Sequence, residues 1–260
     1  MLVAFISQHL FDHYTYTIRH GLAAGMRRKG GLGFLPVDRW ETPEITFLRN
    51  LSFENKVIYD VGSFEGVLTL FFARTAKDVI AYEPNPRNYA RCLENVRLND
   101  LTNVKVLNRG VSDRAGIIEL IYDPLMPGAG SGEQAIAQQI SASVGTSQKL
   151  RVPIVRLDDD IDLNVLPQPD FIKIDVEGME FLALQGMQRT LRQQRPELFI
   201  EMHGATAIEK AEIAHTVIDL LETHCYRTYD IESGRYMTRS NLGGRLPGHL
   251  YSVPHRGLGS

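Results

Sequence analysis

The chain has 260 residues, 43% of them hydrophobic and 23% charged, with a formal net charge of −3. That length makes one large domain or two small ones with room for a full core. The charge lacks the basic excess that nucleic-acid binding leaves, and two cysteines, Cys92 and Cys225, supply neither a disulfide framework nor a zinc site.

No apolar run approaches the ~18 residues that span a bilayer. The opening "MLVAFISQHLFDH" has no basic stretch before it and no small-residue cleavage site after it, so the expected location is cytoplasmic. Residues 1–29 read as helical, because "HLFDHYTYTIRHGLAAGMRRK" carries apolar and aromatic residues at spacings of three to four. On that helix His9, His13 and His20 share one face, and Arg27 to Lys29 form a solvated end. "GGLGFLP" breaks the pattern, and "ETPEITFLRNL" after Trp40 reads as a short helix with Pro43 in its first turn.

The next hundred residues alternate strand and helix. "KVIYDV" is an apolar strand followed by glycines and the helical "VLTLFFARTA"; "DVIAYEP" is a second strand and "RNYARCLENVRLND" a second helix; "VKVLNRGV" is a third strand. Such alternation indicates crossover units and a parallel sheet covered on both faces. From Tyr122 to Leu150 the composition turns to Gly, Ser, Ala and Gln, a long excursion with one short helix at "EQAIAQQI". The sheet pattern resumes with "LRVPIVRLDDDI" and "PDFIKIDV", then the helix "GMEFLALQGMQRTLRQ", the strand "PELFIEMHG" and the helix "EKAEIAHTVIDLLETH". "YRTYDIE", "GRYMTR" and "HLYSVP" read as closing strands forming an antiparallel hairpin at the edge. The expected organisation is one α/β domain, residues 40–260, with an N-terminal helical extension over residues 1–39 and an insertion or lid at about 122–150.

In "DVGSFEGVLT", Asp60 ends a strand, Gly62 and Gly66 bracket a loop, and Thr69 lies in the following helix. Glycines there let backbone amides approach a ligand closely, and ligands of open parallel sheets bind beyond the carboxyl ends of the strands. Glu83 ends the next strand, where an acid can accept two hydrogen bonds from a ribose diol. A dinucleotide site would prefer G-x-G-x-x-G. Acids crowding a G-x-x-x-G loop suit a ligand with positive charge, and favour S-adenosylmethionine over NAD.

The ordered set "IYDVGSFEGVLTLFFAR", "AYEPNP", "ENVRLND", "GVSDRAG", "RLDDDI" and "DFIKIDVEGMEFLALQGM" resembles the FkbM family of S-adenosylmethionine-dependent methyltransferases over about residues 40–203. The resemblance implies a Rossmann-like class I methyltransferase fold: a seven-stranded, mostly parallel sheet with helices on both faces and an antiparallel edge strand. It implies O-methylation of a hydroxyl on a sugar, polyketide or related metabolite, with S-adenosylhomocysteine as product. By the same resemblance Asp60, Gly62 and Gly66 match the methionine-side loop and Glu83 the ribose acid, and Ser63, Thr69, Pro84 and Asn85 are expected to bind the cofactor with them. Val111, Ser112 and Asp113 fall where the adenine edge is met, and Asn99 lies in a matching segment. Family loops often read G-A-N-x-G; "GSFEG" departs from this, and Glu65 is expected to face solvent.

"KIDVEGME" places Asp175, Glu177 and Glu180 at the end of a strand that should finish beside the cofactor's methyl group. A hydroxyl acceptor must lose a proton, and a base must lie within about 2.6–3.2 Å of it. Asp175, Glu177 and His203 are the candidates, His203 because its ordinary pKa of about 6.5 suits a base near neutrality. Against these stand plainer readings: Glu180 as a first-turn helix acid, Glu177 as a cap or brace. A divalent metal on Asp175, Glu201 and His203 is a less favoured alternative, and "RLDDDID" reads as a solvated face rather than a metal site. Residues 122–150 and the N-terminal segment are the expected substrate wall, and the aromatic N-terminal segment could pack against a second copy in a homo-oligomer. The rivals are a non-catalytic S-adenosylmethionine-binding scaffold and an NAD-linked oxidoreductase.

Overall fold

The computed structural model describes residues 12–30, 41–123, 126–131, 148–242 and 246–255. Among these, the first element is β1 (Thr15–Thr17), paired antiparallel with β2 (Arg27–Lys29). The helix expected across residues 12–29 is therefore a hairpin. Gly21 and Gly25 take positive φ (79° and 90°) inside the span, which no helix continues through. Tyr16 and Ile18 are buried two residues apart, the period of a strand. His9 lies outside the described residues, and His13 and His20 share no helix.

The main sheet follows. Helix α1 (Pro43–Asn50) leads into β3 (Val57–Val61), α2 (Val67–Ala73), β4 (Asp78–Tyr82), α3 (Pro86–Leu98) and β5 (Val104–Leu107). After an excursion come β10 (Phe171–Ile174), α5 (Glu180–Gln185), α6 (Gln188–Gln193), β11 (Glu197–Glu201), α7 (Ala207–Thr223), β12 (Tyr226–Asp230), β13 (Tyr236–Met237) and β14 (His249–Pro254). Their order across the sheet is β13-β12-β14-β11-β10-β3-β4-β5, eight strands where seven were expected, the extra one being the two-residue β13. The antiparallel β14 is not at the edge: it lies between β11 and β12, pairing antiparallel with both. The edge is the β12–β13 hairpin.

Successive residues of the central strands serve two cores, as the pleat requires. Tyr59, Val61, Ile172, Ile174, Leu198 and Ile200 join one cluster, while Ile58, Phe171 and Phe199 join the other. The first is closed by Ala183 and Leu184 of α5 and Val217, Ile218 and Leu221 of α7, the second by Leu48 of α1 and Phe72 of α2. Fully burying a side chain such as Phe171 contributes roughly 2–3 kcal/mol. That is why these strands read as unbroken apolar runs rather than alternating ones.

The excursion forms a second sheet, ordered β6-β9-β7-β8. Its strands are β6 (Gly110–Val111), β7 (Gly116–Asp123), β8 (Met126–Ser131) and β9 (Gln148–Val155). Two expectations change here. "VKVLNRGV" is not one strand: the Asn108 side chain donates to the carbonyls of Glu83 and Pro84 (2.9 and 3.0 Å), and the chain then leaves for the second sheet. "LRVPIV" belongs to β9, antiparallel to β7 from Gly116↔Ile154 to Tyr122↔Gln148. The insertion is thus rooted in a hairpin; its expected helix at residues 133–140 lies outside the described residues.

"RLDDDI" opens α4 (Leu157–Leu163) rather than a solvated loop. Asp158 and Asp160 are buried. Asp158 accepts from the Arg189 and Thr190 amides (2.8 and 2.9 Å) and the Thr190 hydroxyl (2.7 Å), capping the start of α6. Asp160 accepts from the Tyr82 hydroxyl (2.9 Å) and pairs with Arg109 at 3.3 Å. Among the described residues no helix is long and apolar enough to cross a membrane.

Candidate active site

At the carboxyl end of β3 the chain turns at Gly62, whose φ is +80°. A Cβ there would lie 1.8 Å from the Asp175 carbonyl oxygen, so the exit of β10 passes over this turn at a distance only glycine allows. The Gly62 and Ser63 amides both donate to the Tyr82 carbonyl (2.9 and 3.0 Å), tying the turn to the end of β4. Beneath it Asp60, wholly buried, accepts from the Thr69 hydroxyl (2.6 Å) and faces the Lys173 ammonium at 3.4 Å.

Lys173 was not singled out from the sequence, although a lone cation inside the apolar "DFIKI" was the available signal. Its Nζ donates to the Gly62 carbonyl (2.7 Å) and to Asp175 Oδ2 (3.1 Å). Burial alone would depress this amine, but Asp175 and Asp60 reverse the sign and hold it firmly protonated. The lysine straps together the two strand ends on which the site stands.

Above the turn is a cavity of about 270 Å³. Of the positions expected to bind cofactor, Gly62, Glu83, Pro84, Asn85, Val111 and Asp175 line it. Asp60, Ser63, Gly66, Thr69 and Ser112 do not. Asp60 and Thr69 brace the turn from below, Ser63 contacts Cys92 Sγ at 3.9 Å, and the Ser112 amide donates to the Val155 carbonyl of β9 (2.8 Å). Phe64, Tyr82 and Asn88 also line the cavity, as do Ile118, Leu120 and Ile154 of the second sheet. The sequence pattern did not reveal this last trio, because a separate sheet brings it over the first.

Glu83 ends β4 at the cavity wall. Its Oε1 accepts from the Asn85 amide and its Oε2 from the Phe64 amide, both at 2.8 Å. Burial pushes its pKa up to about 7, opposed by those two amides, by Lys173 and by Asn88. Asn85 caps α3, accepting from the Arg87 amide (3.0 Å) ahead of Pro86. Glu65 does not face solvent: it is mostly buried and paired with Arg28 of β2. Asn99 is a latch rather than a ligand, exchanging hydrogen bonds with the Arg27 backbone (2.7 Å each way).

Beyond β10, Glu177 and Gly178 take positive φ (51° and 97°). This tight turn sets Asp175 and Glu177 on the same cavity wall. His203, just past β11, joins them. Its Nδ1 donates to Glu180 Oε1 (2.9 Å), and its Nε2 faces Glu201 at 3.5 Å, Glu177 at 3.6 Å and Asp175 at 3.8 Å. Glu180 is wholly buried and also takes the Gly178 amide (3.0 Å), so it both starts α5 and orients the imidazole.

The acids decide the histidine's state. Burial would lower its pKa, but Glu180, Glu201 and Glu177 outweigh this and push it up to about 11. At neutral pH His203 is then an imidazolium, and the free-base role expected of it does not fit this surrounding. Glu177 is raised as well, to about 7, here by burial, which His203 only partly offsets. Asp175, Glu177 and His203 offer ligand atoms within 4.8 Å of one another, as do Glu44, Glu232 and His249 farther out.

A parallel sheet whose last strand inserts antiparallel beside β11, with an acid, a glycine turn and a second acid at adjacent strand ends, defines a class I methyltransferase. The chain belongs to the FkbM methyltransferase family, its residues 60–229 matching the Methyltransferase FkbM domain. It is similar to the hexuronic acid methyltransferase AglP of Haloferax volcanii, 29% identical over 166 residues that cover 64% of each chain. It is also similar to the methyltransferase sdnD of Sordaria araneosa, 30% identical over 157 residues, 51% of this chain and 61% of that one. The matches span less than two thirds of either relative's own length. Among solved structures, an FkbM methyltransferase from Methylobacillus flagellatus is 20% identical with a TM-score of 0.48, covering 79% of this chain and 45% of that one.

Proposed function

We propose that this protein transfers the methyl group of S-adenosylmethionine to a hydroxyl of a small molecule or glycan, releasing S-adenosylhomocysteine. The observation that carries this reading is Glu83: a carboxylate at the end of β4, pinned by two backbone amides and facing a cavity that runs from the Gly62 turn to Asp175 and Glu177. Its remaining lone pairs suit a ribose diol. Ile118, Leu120 and Ile154 supply an apolar wall for a base, and the methionine end would lie along the Gly62 turn.

With the sulfonium methyl directed toward Asp175, the acceptor oxygen attacks the methyl carbon in line. The C–S bond breaks with its electron pair going to sulfur, and the hydroxyl proton passes to the carboxylates on that wall. Alignment of the two reactants is the main contribution, on the order of 7–11 kcal/mol for well-oriented pairs. Asp175 is positioned for this by Lys173, which engages Oδ2 and leaves Oδ1 facing His203 Nε2 at 3.8 Å. His203 holds the acids in place as a cation. The similarity to a hexuronic acid methyltransferase makes sugars the first acceptor class to test.

Residues 122–150 complete the reading as a lid and residues 40–260 as its catalytic domain, since the insertion hangs from β7 and β9, whose side chains already line the cavity. Lid residues protected from protease only when cofactor and acceptor are both bound would support that assignment. Calorimetric titration with S-adenosylmethionine, S-adenosylhomocysteine and NAD tests the whole. Binding of the first two, lost in Glu83→Ala, is expected; binding of NAD alone would overturn it. Binding without transfer to any hydroxylated sugar would favour a non-catalytic scaffold.

A further inference from the structure

We propose that the N-terminal hairpin belongs to the methyl-donor site: Arg28 of β2 is a positioning residue that, through Glu65 and Phe64, holds the Glu83 carboxylate in place for the ribose diol.

The turn after β3 needs a brace. Phe64 has a φ of +51°, a left-handed conformation that a bulky side chain adopts at a cost and keeps only where its surroundings impose it. Two contacts depend on that conformation. The Phe64 amide donates to Glu83 Oε2 (2.8 Å), and Phe64 itself lines the cavity. Immediately after it, residue 65 is held at both its side chain and its carbonyl. The Glu65 carboxylate pairs with Arg28, and the Glu65 carbonyl accepts from the Asn95 side chain of α3 (2.8 Å).

Every residue of β2 is fastened to this corner of the molecule. The Arg27 amide and carbonyl engage the Asn99 side chain (2.7 Å each), Arg28 engages Glu65, and the Lys29 amide donates to Asn95 Oδ1 (2.8 Å). Asn95 is wholly buried, and its one side chain reaches both the hairpin and the turn. The three cations that read in the sequence as a solvated end are a grip on α3 and the glycine turn.

Stability alone is a poor account of the Arg28–Glu65 pair. The two side chains keep only 15% and 12% exposure, and Arg28 Nε is buried with no hydrogen-bond partner among the described residues. Taking two charges out of water offsets most of their attraction, so apolar side chains of similar volume would serve the packing as well. What the ion pair adds is direction. It draws the Glu65 carboxylate to the hairpin and, with Asn95, fixes the residue that follows Phe64. Without Arg28 that carboxylate must reach water, and the movement of residue 65 carries the Phe64 amide off Glu83. Glu83 is then left with the Asn85 amide as its one backbone anchor. The inference rests on the reading of Glu83 as the ribose acid and is independent of the acceptor.

Adenosine and 2′,3′-dideoxyadenosine, which differ only in the diol, test this when each is titrated into the full chain alongside S-adenosylhomocysteine. Wild-type protein should bind adenosine more tightly than its dideoxy analogue. Arg28→Gln and Glu65→Ala, shown to be folded by circular dichroism, should each weaken adenosine and S-adenosylhomocysteine by roughly tenfold and leave dideoxyadenosine unchanged. The double variant should lose no more than either single one, because the two residues act as one device. Equal losses for both nucleosides would mean general damage to the fold and would overturn the proposal, as would additive losses in the double variant. A diol preference preserved in both folded variants refutes the role of the hairpin alone. Wild-type protein that binds none of the three ligands refutes the donor reading itself, and the hairpin's role falls with it.

Discussion

Replacing Lys173 by methionine keeps the side chain's length and removes its charge from the middle of the sheet. In the wild-type protein that ammonium bridges the Gly62 carbonyl (2.7 Å), Asp175 (3.1 Å) and the wholly buried Asp60 (3.4 Å). Asp175 is partly exposed and can rehydrate; Asp60 cannot. The dominant loss is thus an unpaired buried carboxylate, and removing one partner of a buried pair costs about 3–5 kcal/mol. Against a total stability of about 5–15 kcal/mol, the variant should unfold at a urea midpoint lower by roughly 1–2 M. Asp60→Asn in the same background removes the stranded charge while still accepting from Thr69. The double variant should therefore lose less than the sum of the two single ones, by about 1–3 kcal/mol of coupling. A Lys173→Met protein less than about 1 kcal/mol below wild type, or a strictly additive double variant, would show that the strap between β3 and β10 contributes little.

Glu83 predicts a pH profile for cofactor binding. Its carboxyl is raised to about 7 by burial, and under the proposed reading the ionised form would accept the ribose hydrogen bonds far more strongly than the neutral acid. The affinity for S-adenosylhomocysteine should climb between pH 6 and 8 and fall by roughly tenfold per unit below that window, while Glu83→Gln binds weakly with a flat profile; calorimetry at several pH values reads both. Gly62→Ala should destabilise by more than about 2 kcal/mol or fail to accumulate as folded protein, because its Cβ meets the Asp175 carbonyl at 1.8 Å and its φ is +80°; thermal melting measures this. Asp158→Ala removes three hydrogen bonds from the start of α6 and strands the amides of Arg189 and Thr190. About 2–3 kcal/mol lost in chemical denaturation is expected, and a neutral result would contradict the cap.

What the sequence disclosed follows from locality. The apolar runs of β3, β4, β10 and β11, each followed by a helical period, needed no knowledge of distant partners. The acid–glycine–acid spacing of Asp60, Gly62 and Glu83 sits inside one crossover unit. The N-terminal hairpin was misread because aromatic spacing at residues 10–18 mimics a helix. The alternation in "TYTI" and the two glycines at positive φ carried the truer signal. Asp158 and Asp160 resemble a solvated run until α6 and Tyr82, both far off in the chain, arrive to receive them. The states of Glu177 and His203 were beyond reach for the same reason. They arise from four acids on three segments converging on one imidazole, which no spacing along the chain encodes.

The root of the insertion has an evolutionary consequence. Because β7 and β9 lie side by side in register down to Tyr122↔Gln148, the chain leaves and returns at neighbouring points on a sheet separate from the central one. Closure entropy grows only slowly with the length of such an excursion. Residues between those points can therefore be lengthened, shortened or exchanged as a cassette, while the strand register that fixes Glu83 and Asp175 stays untouched. Under the proposed reading, grafting that one segment would change the acceptor preference and leave the methyl-donor half of the site intact.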